Sequence, residues 1–144
     1  MKREINLKDC VILLVEDDKL AQLVFQSSLK TTGARILLAE NGCEALDVLQ
    51  GEYVHVDIIF MDIIMPHMNG LEAAEKIRGM TGKYQNIPII AWTASWYKNP
   101  QEIFQDGLFS QCLIKPTDKE LLLDTAEHWW KAVKLLEETK SNVS

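Results

Sequence analysis

The chain has 144 residues, 47% of them apolar, a length and composition that fit one domain with a core of its own. Its net charge is −6 with no block of like charge, which argues against direct nucleic-acid binding and against an anionic membrane surface. The three cysteines, Cys10, Cys43 and Cys112, form no CxxC and no metal-ligand cluster, so they read as buried or free thiols of a reducing compartment.

The N-terminus, MKREINLKD, lacks the apolar run of a signal peptide, and Val11–Val15 is far too short to span a bilayer. A cytoplasmic protein is expected. Val11–Val15 is instead a continuous β-branched and Leu run, as a strand buried on both faces requires. It ends abruptly in Glu16, Asp17 and Asp18. Leu20, Leu23, Val24, Ser27 and Leu29 follow near helical spacing, and Gly33 closes that helix. Ala34–Ala39 is a second strand, Asn41-Gly42 a turn, and Cys43–Gln50 a short helix with Ala45, Leu46 and Leu49 turned inward. The third strand, Ile58–Met61, runs into Asp62. Pro66 and Gly70 then turn the chain into a helix that reaches about Arg78. Ile87–Trp92 is a fourth strand, with Pro88 near its start, where a missing N–H is tolerable. Pro100–Gln105 is a helix ending at Gly107, and Cys112–Ile114 a short fifth strand. The last helix opens on Thr117-Asp118-Lys119-Glu120, a capping-box pattern, and presents Leu122, Ala126, Trp129 or Trp130, Val133 and Leu136 along one face to about Glu138. The polar tail, 139–144, is expected to fray.

Five strands alternating with five helices predict an α/β fold with a parallel sheet, helices on both faces and right-handed crossovers. Within it, an Asp set between Met61 and Ile63-Ile64 needs a partner, a metal or an open cleft, since burying an unpaired carboxylate costs several kcal/mol. Four strands end on a polar, reactive residue: the first on Glu16-Asp17, the third on Asp62, the fourth on Thr93, the fifth on Lys115. In an open parallel sheet these ends share one edge, where ligands bind, so the five side chains should converge. Three carboxylates at close range repel one another unless a cation neutralises them, and Mg2+, a hard ion with oxygen ligands, is the natural candidate. Metal, ammonium and hydroxyl together suit a transferring phosphoryl group. Asp62 stands alone at the central strand and is the better nucleophile; the Glu16-Asp17 pair makes the better metal site.

Four motifs, VEDD at Val15–Asp18, MDIIMPHMNG at Met61–Gly70, WTA at Trp92–Ala94 and IKP at Ile114–Pro116, are weak singly and specific together. With them the chain resembles the receiver domains of two-component response regulators, from about Asp9 to Lys131. The resemblance implies a flavodoxin-like sheet of strand order 2-1-3-4-5 and a single receiver domain over 1–144, with its core at about 9–138. It implies that Asp62 accepts a phosphoryl group from a histidine kinase or histidine phosphotransfer protein. It also implies that Glu16, Asp17, Asp62 and the Ile64 backbone carbonyl hold Mg2+, that Lys115 contacts the phosphoryl group, and that Thr93 moves toward it. Pro116 would follow the lysine in a cis peptide. Such a domain catalyses its own phosphorylation and dephosphorylation rather than turning over external substrates.

The sequence departs from the family pattern at Cys112, where many receivers carry Tyr or Phe, and at Ile64 and Ser95, neither of which offers a carboxylate or amide to orient a water. Slow loss of the phosphoryl group is the expectation, checked by the decay of phosphoprotein in Mg2+ buffer. Output is expected through protein contacts, since little chain follows Pro116 beyond the last helix, or the sequence is the receiver piece of a hybrid kinase. Two rival readings make different demands on the same residues. A receiver-fold scaffold without phosphorylation predicts a missing site residue. An aspartyl-phosphate hydrolase wants a second Asp where Ile64 stands. His55, His67 and His128 match no phosphodonor or zinc motif and are expected in surface or structural roles, Trp129 and Trp130 in packing, and Cys112 as an inert core residue.

Overall fold

The structure, a computed structural model, describes residues 4–52, 54–65, 67–94 and 107–141. Five strands, β1 (Val11–Val15), β2 (Arg35–Ala39), β3 (Ile58–Met61), β4 (Ile89–Ala94) and β5 (Gln111–Lys115), form one parallel sheet in the order β2-β1-β3-β4-β5. Among the described residues there are four α-helices: α1 (Lys19–Leu29), α2 (Gly42–Gln50), α3 (Gly70–Arg78) and α4 (Lys119–Ser141). The helix expected over Pro100–Gln105 lies outside the described residues.

The apolar runs of the inner strands serve two cores at once, because successive side chains point to opposite faces. Leu13, Val15, Ile59, Met61, Ile89 and Ala91 pack with Ala45 and Leu49 of α2 and Ala73, Ala74 and Ile77 of α3. Ile12, Leu14, Ile58, Phe60, Ile90 and Trp92 pack with Phe25 and Leu29 of α1 and Leu122, Leu123, Ala126 and Trp130 of α4. Burial on both faces is why β1 and β3 show no alternation in the sequence. At the opposite edge from the strand C-ends, the buried Asp57 is satisfied by the Val11 N–H at 2.8 Å and by His55 Nε2 at 2.8 Å, the structural role expected of that histidine.

Several expectations are corrected by the packing. On α1 the residues at helical spacing divide: Leu20 is 69% and Leu23 63% exposed, while Leu29 faces the sheet together with Gln22, Phe25 and Ser28. The cause is the packing of Phe25 and Leu29 together with a polar anchor: Gln22 Nε2 donates to the Glu16 carbonyl at 2.6 Å. α1 also ends earlier than expected, with a 3-10 turn over Lys30–Thr32 before Gly33. β4 begins two residues later than expected and runs through Thr93 to Ala94; Pro88 precedes it and offers only its carbonyl, to Ile59 N–H at 2.9 Å. Asp118, not Thr117, caps α4, accepting from Leu121 N–H at 2.8 Å. Thr117 is engaged elsewhere. α4 runs to Ser141, past the expected Glu138, and Leu136 lies largely exposed at the rim of a cavity that it shares with Val133, Val56 and Ile87. Trp130 fills the core side of α4, whereas Trp129 sits at its margin with its indole N–H on Gln111 Oε1 at 2.8 Å. Cys112 is half-buried against the α2–α3 core rather than inside it, and Cys43 is exposed.

Gly70 fixes how closely α3 approaches the end of β3. Its N–H donates to the Ile63 carbonyl at 2.7 Å. A Cβ there would lie 2.4 Å from the Asp62 carbonyl oxygen and 2.8 Å from Ile63 Cα, both backbone atoms that cannot swing aside. Gly70→Ala is therefore expected to cost about 1–3 kcal/mol of stability. Denaturant unfolding measures this, and an unchanged midpoint contradicts it.

Candidate phosphoryl site

The strand order places the C-ends of β1 and β3 side by side, with β2 leaving in one direction and β3 to β5 in the other. That reversal opens a crevice beyond the strand ends. Glu16 and Asp17 follow β1 and Asp62 follows β3, so the crevice is lined by acids because the chain has acids at those two exits. Asp18, the last acid of the motif, points elsewhere and caps α1 through Ala21 N–H at 3.1 Å.

Ligand oxygens of Glu16, Asp17 and Asp62 all lie within 4.8 Å of one another. Glu16 is fully buried and Asp62 nearly so, whereas Asp17 is exposed. Lys115, 99 positions after Glu16, joins them: its ammonium contacts Glu16 Oε1 and stands 3.5 Å from Asp62 Oδ2. The other Asp62 oxygen accepts from the Ile64 N–H at 3.3 Å, and the second Glu16 oxygen is met by the Asp18 N–H at 3.4 Å. The Ile64 side chain is 41% exposed and points away from any core role.

Thr93 lies at the same sheet edge. In register, Met61 pairs with Ala91 and Ile114 with Thr93, which sets Thr93 just beyond the level of Asp62. Its hydroxyl is buried and has no hydrogen-bond partner among the described residues, although a buried hydroxyl is normally satisfied. The Lys115–Pro116 peptide is cis. The structure thus gathers Glu16, Asp17, Asp62 and Lys115 into direct proximity and leaves Thr93 beside them with an unsatisfied donor.

Burial pushes the Glu16 carboxyl up to about 7, with the Asp62 charge adding to the rise and Lys115 opposing it. The folded protein then keeps a proton that the unfolded chain releases near its usual 4.5. Stability of the metal-free protein is thus greatest below about pH 4.5 as far as this group is concerned, and that contribution is lost as pH rises through about 7. A divalent ion competes with the same proton. Its apparent affinity is expected to weaken roughly tenfold per pH unit below about 7 and to level off above it. Mg2+ titrations at stepped pH check this, and a flat affinity from pH 6 to 8 contradicts it.

Two contributors were not singled out from the sequence. Gln22 orients the Glu16 backbone, and nothing in the sequence distinguishes it from the other polar residues of α1. Trp92 underlies Lys115, with Nζ 4.7 Å from the indole centroid, and only its adjacency to Thr93 hinted at the site.

A doubly wound parallel sheet with an acidic trio, a lysine and a threonine at its switch point defines a receiver-type module. A model of the response regulator receiver domain family matches residues 12–127, and the chain belongs to that family. It is 30% identical over 118 residues to the autoinducer sensor kinase/phosphatase CqsS of Vibrio cholerae, covering 82% of this chain and 17% of CqsS. It is 28% identical over 118 residues to the polar-differentiation response regulator DivK of Brucella ovis, covering 82% of this chain and 94% of DivK. Among solved structures it resembles the receiver domain of a sensor histidine kinase from Pseudomonas aeruginosa, crystallised with magnesium coordinated in its active-site cleft. That match has a TM-score of 0.75 and 30% identity, and covers 85% of this chain and 98% of the other. No helix of the described residues is long and apolar enough to cross a membrane.

Proposed function

We propose that this receiver domain takes a phosphoryl group from a phosphohistidine onto Asp62, in a phosphorelay with a histidine kinase or histidine phosphotransfer protein. The observation that carries the reading is the convergence of Asp62, Glu16, Asp17 and Lys115 beside an unsatisfied Thr93 hydroxyl. An Asp62 oxygen attacks phosphorus, the new O–P bond forms as the P–N bond breaks, and the released imidazole leaves as the histidine side chain of the donor. Lys115, already 3.5 Å from Asp62, is placed to share the charge on the phosphoryl oxygens. Thr93 supplies a buried hydroxyl that gains a partner when an anionic oxygen arrives.

The residues fit a hard divalent cation. Three carboxylates, one of them held up in pKa by burial and a like charge, are a donor set that a cation relieves. Glu16, Asp17 and Asp62, with the Ile64 backbone carbonyl, would hold Mg2+, which when bound offsets the charge of the carboxylates and of the phosphoryl oxygens. Asp17, being exposed, is the member that solvent reaches.

The unit is one receiver domain with its core at about 9–138, acting in the cytoplasm. Its relatives include a response regulator matched over 94% of its length, DivK, and a sensor kinase/phosphatase matched over 17%, CqsS, so the chain is either a stand-alone regulator or the receiver segment of a hybrid kinase, and the same site serves either. Incubation with acetyl phosphate and Mg2+ followed by intact mass tests the reading. One acid-labile phosphoryl group per chain is expected. No gain, in a protein that is folded and binds Mg2+, favours the scaffold alternative instead.

A further inference from the structure

Lys115 belongs to β5, yet its ammonium must reach Asp62 beyond β3, two strands away. Neighbouring strands stand about 4.8 Å apart, so the side chain has to cross the end of β4. The residue it crosses is Trp92. The ammonium lies 4.7 Å from the indole centroid, a distance at which a cation is attracted to the ring face.

The indole is itself held on two sides. Its Nε1–H donates to Thr117 Oγ1 at 3.1 Å, and Thr117 Oγ1 donates to the Ile114 carbonyl at 2.7 Å. Those two residues bracket Lys115 and Pro116, so the indole is clipped to the turn that carries the lysine. Behind it, Phe25 packs at 5.5 Å and tilts against the ring, and Phe25 in turn packs at 4.9 Å on Phe60, two residues before Asp62. Trp92 is only 3% exposed, which leaves the ring no room to tilt away from the lysine.

We propose that Trp92 is a positioning residue for Lys115: its ring face fixes where the ammonium stands, and its N–H fixes the turn from which the lysine departs. A lysine stem has four rotatable bonds and a strongly hydrated head, so without such a platform the ammonium spreads over several positions between Glu16 and solvent. The platform keeps it within reach of Asp62. The proposal rests on the receiver reading.

The test is a double-mutant cycle on the initial rate of phosphoryl gain from acetyl phosphate and Mg2+, with circular dichroism confirming that each variant is folded. Trp92→Leu is expected to slow the wild-type reaction about tenfold, whereas in a Lys115→Met background it is expected to change the rate less than about twofold. Trp92→Phe, which keeps a ring face, is expected to stay within about threefold of wild type. An equal loss from Trp92→Leu in both backgrounds means that Trp92 acts only as core, and overturns the proposal alone. A wild type that gains no phosphoryl group overturns the receiver reading and the proposal with it. If Trp92→Leu does not fold, the Lys115 ε-methylene protons of the wild type decide: ring-current-shifted resonances are expected, and unshifted ones overturn the proposal.

Discussion

Chelation of divalent ions is expected to lower phosphoryl gain on Asp62 about a hundredfold or more, the scale on which removing an electrostatic contributor from such a site acts. Three carboxylate oxygens within 4.8 Å of one another create the dependence, because a phosphoryl group brings further negative charge to a place already crowded with it. Lys115 alone does not offset that charge, since its ammonium is shared between Glu16 and Asp62. Asp17→Ala is expected to weaken Mg2+ binding about a hundredfold, at the upper end of what loss of even an outer-shell partner costs. Rates measured in excess chelator and Mg2+ titrations of Asp17→Ala check both statements. Undiminished phosphorylation in chelator contradicts the metal assignment.

Thr93→Ala is expected to separate binding from response. The hydroxyl is buried without a partner among the described residues, so its removal leaves none of them unsatisfied and should change stability by less than about 1 kcal/mol. A mimic of the phosphoryl group, beryllofluoride with Mg2+, should still bind. What should be lost is the change in tryptophan emission that the mimic produces in the wild type. Thr93 is followed directly by Ala94 at the end of β4 and then by residues 95–106, so a hydroxyl drawn to a phosphoryl oxygen pulls on that segment through the chain itself. A ligand shifts such an equilibrium only through its differential affinity for the two states, and a hydrogen bond from Thr93 to a bound phosphoryl oxygen would be that differential contact. Full fluorescence response in Thr93→Ala contradicts the relay.

The sheet was legible because its signals are strong and local. Val11–Val15 and Ile58–Met61 are short apolar runs that stop at charged residues, and both strands lie where those runs lie. The expected gathering of Glu16, Asp17, Asp62, Thr93 and Lys115 at one edge followed from the same rule, since strand exits in a parallel sheet share an edge whatever the helices do. Helix rotation was another matter. Leu20, Leu23 and Val24 of α1 keep helical spacing yet lie outward, because the packing of Phe25 and Leu29 and the bond from Gln22 to the Glu16 carbonyl turn the opposite side to the sheet. The cap of α4 failed for a similar reason. Thr117 fits a capping box by spacing, but it is claimed by the Trp92 indole and the Ile114 carbonyl, two partners from elsewhere in the fold. Trp92 itself was read as part of a motif and nothing more, because a contact with Lys115 exists only once β4 and β5 are paired.

Covalent trapping tests the central claim most directly. An aspartyl phosphate is an acyl phosphate, and borohydride reduces it to homoserine at the residue that carried it. After incubation with acetyl phosphate and Mg2+, peptide mass mapping is expected to find homoserine at position 62 alone, and none in Asp62→Asn treated alongside. Homoserine at Asp17, Glu16 converted in the same way, or an undiminished phosphoryl gain in Asp62→Asn would contradict the assignment of Asp62 as the acceptor.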